Sequence, residues 1–72
     1  MKPIELRDWA IDAAAGDVVV YHVGTYAQGD TCREAMALSE GGLVALVRKR
    51  RQGSHVFEYM AQRTKTKMAV KA

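Results

Sequence analysis

Apolar residues first recur at helical spacing. Leu6, Trp9, Ala10 and Ala13 fall at i, i+3, i+4 and i+7, and Ile4 and Ile11 broaden the stripe. The pattern predicts a helix over 3–15. Pro3 suits its first position, where a missing N–H has no intrahelical partner to lose. Glu5 and Asp8 sit where the helix dipole favours negative charge, and Gly16 is a natural stop. The spacing then changes. Residues 18–23, Val-Val-Val-Tyr-His-Val, form a short β-branched run that predicts a strand. It is apolar on both faces, which implies full burial, or one face under a helix and the other against a partner.

Residues 24–30 fit either a loop or one helical turn. Thr31-Cys32-Arg33-Glu34 then has the pattern of a capping box and predicts a helix over 31–40. Ala35, Met36 and Leu38, with Cys32, form its inward face, and Gly41-Gly42 ends it. Residues 43–51 and 56–64 read as two strands joined through Gln52-Gly53-Ser54-His55, with Gly53-Ser54 at the turn. That register sets Arg51 against Val56, Lys49 against Glu58, Arg48 against Tyr59 and Leu46 against Ala61. Lys49 and Glu58 form a cross-strand charge pair in it. Val44, Leu46, Phe57, Tyr59 and Ala61 share the face that sits over the helices. Residues 65–72 have no periodic pattern and read as a basic tail.

The chain of 72 residues fits one domain, residues 1–64, with that tail after it. A domain near this size buries only roughly 60% of its unfolded surface, so a second copy or a partner can supplement the core. Tyr21, Tyr26 or the first helix could supply a homodimer contact. The lone cysteine, Cys32, cannot form an internal disulfide. No run approaches the roughly 20 apolar residues of a membrane span. Charges interrupt the N-terminal apolar residues, so no secretory signal is expected. These features lead us to expect a cytoplasmic protein with no membrane partner.

Charge changes the picture more than composition does. Residues 1–40 carry a net −4 and residues 41–72 a net +7, so the overall +3 conceals a basic half. The densest part is Arg48-Lys49-Arg50-Arg51. Such a run can neutralise phosphates, or it can be a solvated hairpin whose charges prevent edge pairing. Alternation along a strand sends its members to both faces.

The order helix, strand, short helix or loop, helix, strand, basic turn, strand resembles the winged-helix variant of the helix-turn-helix domain. The match covers residues 3–64. It rests on the strand at 18–23, the helix at 31–40, the Gly41-Gly42-Leu43-Val44 step and the hairpin at 43–64. The chain is also similar in general look to small phage and prophage proteins. The resemblance implies an α+β winged-helix-like fold and a DNA-binding role, as in a phage or prophage transcriptional regulator. Its partner would be double-stranded DNA. Arg33 would lie on the recognition helix, and Arg48, Lys49, Arg50, Arg51 and His55 on or near the wing, with Lys65 and Lys67 in the tail. Two features depart from the family. Residues 25–42 are few for two full helices and a turn, and the helix at 31–40 carries Glu34 and Glu40 against Arg33 alone. These departures favour an alternative, a winged-helix-shaped module that binds a protein and not DNA, as an accessory or inhibitor protein would.

Other chemistry is sparse. His22, His55 and Cys32 are too few and too scattered for a zinc site, so no metal or cofactor is expected. His22 reads as a strand residue with a satisfied ring and His55 as a turn residue. Cys32 lacks a visible base and oxyanion site, and Asp8 and Asp12 read as a solvated acidic face. Gly24 and Gly29 lie outside P-loop spacing. No catalytic constellation is legible, and the chain does not read as an enzyme.

Overall fold

The computed structural model describes residues 1–66. Its elements are α1 (Pro3–Asp12), β1 (Val18–Gly24), α2 (Asp30–Glu40), β2 (Val44–Arg50) and β3 (Phe57–Arg63). They form a small α+β domain with an antiparallel sheet in the order β1-β3-β2. The last described strand in sequence, β3, is therefore the central one. No described helix is long and apolar enough to cross a membrane.

Strand alternation decides what is buried. In β3, Phe57, Tyr59, Ala61 and Arg63 face the helices, and Glu58, Met60 and Gln62 face away. Tyr59 and Ala61 are buried, with Val44 and Leu43 beside them. The expected hairpin register holds: Leu46 pairs with Ala61, Arg48 with Tyr59 and Lys49 with Glu58. Gly53 at its turn has φ +72°, a conformation costly for a residue with a Cβ. In β1 the register shifts between Val20 and His22. This bulge directs both Tyr21 and His22 toward the helices, and both lie beside Tyr59, at centroid distances of 6.5 and 5.4 Å. Val18 and Val20 before the bulge, and Val23 beyond it, are exposed on the outer face.

Leu6 and Ala10 of α1 meet Ala35 and Leu38 of α2 in the buried cluster, with Trp9 packed at its margin. Leu6 is the largest fully buried side chain. Burying it contributes about 2 kcal/mol. Outside the core, Arg7 of α1 grips Glu34 of α2 in a two-pronged pair, Nε to Oε2 at 3.0 Å and Nη2 to Oε1 at 3.1 Å. That hydrogen bond, with the Glu34 charge, raises the Arg7 pKa.

The structure corrects several expectations, some of them through a competing partner. Helix α1 stops at Asp12, short of 15. Ala13 is extended, and Asp17 accepts from the Ala14 N–H at 3.0 Å, turning the chain toward β1. Gly16 belongs to this turn and donates to the Arg63 carbonyl at 2.8 Å. Ile4 and Ile11 are exposed and do not widen the buried stripe. Of the two readings left open for residues 24–30, the loop holds, since 25–29 form no helix. The capping box is not formed. Gly29 is the N-cap, the Thr31 hydroxyl donates to the Met1 carbonyl, and Glu34 is taken by Arg7. Met36 is 59% exposed, because the inward stripe of α2 narrows to Ala35 and Leu38 with Cys32 at its margin. Lys49 does stand opposite Glu58, but the Glu58 carboxylate pairs with Arg51 at 3.1 Å.

Candidate nucleic-acid and peptide interface

The basic residues singled out in the sequence separate into distinct places. Lys49, Arg50, Arg51 and His55 gather at the exposed end of the hairpin. Alternation puts Arg50 on the helix side and Lys49 and Arg51 on the outer side. Arg50 Nε donates to the Ser54 carbonyl at 2.8 Å, which holds the guanidinium against the turn. Arg51 is shared with Glu58, the single carboxylate near this end. Between them, Lys49, Arg50, Arg51, Gln52 and Glu58 line a shallow hollow of about 350 Å³. Its cations are solvent-exposed, so bulk water and salt screen them until a ligand covers the surface.

Arg48 and Arg33 form the second group. Arg48 projects from the helix side of β2, with its guanidinium 4.8 Å from the Phe57 ring centroid. Arg33 is exposed on α2 and paired loosely with Asp30 at 3.7 Å. Both border a cavity of about 550 Å³ between α2 and β2, with Tyr21, Cys32, Met36, Leu46 and Tyr59 on its walls. The outward part of α2 also carries Asp30 and Glu40, so it presents no basic row. Lys65 is exposed beyond the C-terminal end of β3, at the opposite end of that strand from the basic turn. Lys67 lies outside the described residues.

The remaining candidates have structural partners. His22 Nε2 lies 2.8 Å from the Tyr26 carbonyl, so its ring is satisfied within the fold. Burial raises the Cys32 thiol pKa, outweighing a hydrogen bond with the Gln28 backbone. A thiol so shifted carries less thiolate at neutral pH than a free cysteine and is a poorer nucleophile. No group of three metal-ligating side chains occurs among the described residues.

Sequence reasoning missed two features. Arg63 had no assigned role, yet its guanidinium is the knot of the fold. Nε donates to Ala10 O at 2.6 Å, and Nη1 to Thr64 O and Thr66 O at 2.7 Å each, with a long contact to Leu43 O at 3.4 Å. The Ala10 contact places a cation on the last turn of α1, the favourable end of its dipole. The second is the α2–β2 cavity, whose one advance signal was Arg48, a charged residue following Val44 and Leu46 on the helix side of the strand. No protein-family model, curated protein or solved structure matches this chain.

Proposed function

We propose that this domain binds double-stranded DNA through the β2–β3 hairpin, as a winged-helix protein uses its wing. The observation that carries the reading is the projecting turn, where Lys49, Arg50, Arg51 and His55 lie exposed on both sides of the hairpin with Glu58 as the one nearby carboxylate. The element order, helix-strand-helix followed by strand-turn-strand, is consistent with a winged helix in which a loop stands for the second helix. Contact is made mainly to phosphates, because α2 offers Arg33 alone among Asp30, Glu34 and Glu40. Binding of this kind is weakly sequence-selective and salt-dependent. A regulatory role in a phage or prophage is the biological form that this reading takes.

The test is a titration of random duplex DNA at low and moderate salt, followed by backbone amide shifts. Shifts are expected at residues 48–55, with affinity falling linearly in log–log form as salt rises. Arg50→Ala and Arg51→Ala should each reduce that slope by about 1. Absence of binding at low salt overturns the proposal, because the electrostatic attraction is greatest there.

A second reading, a protein-binding module of the same shape, is favoured by the acidic exposed side of α2 and by the cavity beside it. In that case DNA leaves the hairpin amides unmoved at every salt concentration.

A further inference from the structure

We infer that the groove between α2 and β2 binds an extended acidic peptide segment, which adds to the sheet as a fourth strand beside β2. The inference does not require DNA binding, since it uses the body of the hairpin and shares with the tip only Arg48 at the boundary.

Three observations meet at this groove. The first is a free strand edge. In the order β1-β3-β2, strand β2 pairs only with β3 among the described residues. The ladder bonds are phased by their ends: the Arg51 N–H donates to Val56 O, and the Thr64 N–H to Leu43 O. Antiparallel pairs alternate, so Ala45, Val47 and Lys49 direct their backbone groups at β3. Val44, Leu46, Arg48 and Arg50 therefore direct their N–H and C=O groups outward. An incoming strand can satisfy them without disturbing the existing ladder.

The second is a place for side chains. Residues opposite Leu46 and Arg48 would project on the helix side, as those two residues do. There the cavity of about 550 Å³ is bordered by Tyr21, Cys32, Met36 and Tyr59. Met36 and Leu46 are 59% and 37% exposed, so apolar surface on both walls is open to an aliphatic side chain.

The third is charge. Arg33 and Arg48 border the same cavity from its two sides. A residue opposite Leu46 enters the apolar part, and one opposite Arg48, two positions along, lies beside the guanidinium groups. The geometry therefore selects an aliphatic residue and an Asp or Glu two positions apart. Pairing β2 with the β2 of a second copy would instead bring Arg48, Lys49 and Arg50 of both chains along one seam. Charge complementarity disfavours that arrangement and favours the acidic segment.

A displayed library of random dodecapeptides, selected on the full chain at low salt, tests the proposal. Enriched sequences should carry an acid and an aliphatic residue two apart. The most enriched peptide, labelled and followed by fluorescence anisotropy, should bind roughly ten-fold more weakly to Arg48→Glu and to Met36→Glu. Both side chains are exposed, so these variants should keep the wild-type circular dichroism spectrum. Amide shifts should fall on residues 44–48 and 32–36. The proposal is overturned if no sequence is enriched above bare support, or if enriched peptides lack acids and bind Arg48→Glu unchanged. Shifts centred on Val18, Val20 and Val23 overturn it in favour of the outer sheet face. A concentration-dependent dimer that Met36→Glu dissociates overturns it in favour of a second copy.

Discussion

Replacing Arg63 by alanine should be among the most damaging single changes at a residue that lies outside the hydrophobic core. Three short hydrogen bonds leave its guanidinium, to Ala10 O at 2.6 Å and to Thr64 O and Thr66 O at 2.7 Å. Nη1 has only two protons, so its 3.4 Å approach to Leu43 O counts for little. A hydrogen bond to a charged group is worth roughly 1.5–3 kcal/mol, though the Thr66 carbonyl lies at an exposed site and can be satisfied by water. The Ala10 and Thr64 bonds are part-buried and dominate. A net loss of about 2–3 kcal/mol follows, allowing for partial rehydration of the freed carbonyls. A chain of 72 residues has about 4–11 kcal/mol in all, so the loss is a large fraction of the total. The melting temperature should fall by roughly 10–20 °C. Thermal and urea unfolding followed by circular dichroism measure this directly. Arg63→Lys, which supplies one donor group in place of a fork, should recover less than half of the loss. The reasoning fails if Arg63→Ala unfolds within about 0.5 kcal/mol of wild type, which is the effect expected of an unpaired surface cation.

Two further outcomes follow from the fold. Burial chiefly raises the Tyr21 pKa, so the folded state holds the phenolic proton more tightly than the unfolded state. This contribution is complete below the unfolded value of about 10 and is lost as pH rises through the higher folded value; Tyr21→Phe should therefore flatten the fall of stability measured by urea unfolding across that alkaline range. Gly53→Ala should cost about 1 kcal/mol in the same assay, because φ is +72° while no atom lies within 4 Å of the added Cβ, and Gly53→Asn should cost less.

The hairpin was legible because its signals are local. Alternation fixed which of its residues share a face, and a four-residue turn fixed the register. Strand β1 was equally clear from its β-branched run, but the bulge was not, since nothing in Val20-Tyr21-His22 marks where a period of two will slip. Some of the errors share one cause: polar side chains found distant partners that local rules do not see. Glu34 meets Arg7 across 27 positions, and Arg63 meets Ala10 across 53. The basic candidates were recognised as charged, but their division between the turn, the groove and the far end of β3 depends on strand order. An edge for β2 follows only once β3 is known to lie between it and β1.

That strand order has a bearing on how the domain can come into being. Strands β1 and β2 do not hydrogen-bond to each other, and among the described residues each is anchored to the sheet only through β3. During synthesis the helices and two of the strands exist before any sheet is possible. A message cut short near residue 56 would yield two orphan strands and not a smaller sheet. The central position of β3 thus makes its synthesis a condition for the sheet, and lets the local β2–β3 turn form before the long-range closure onto β1.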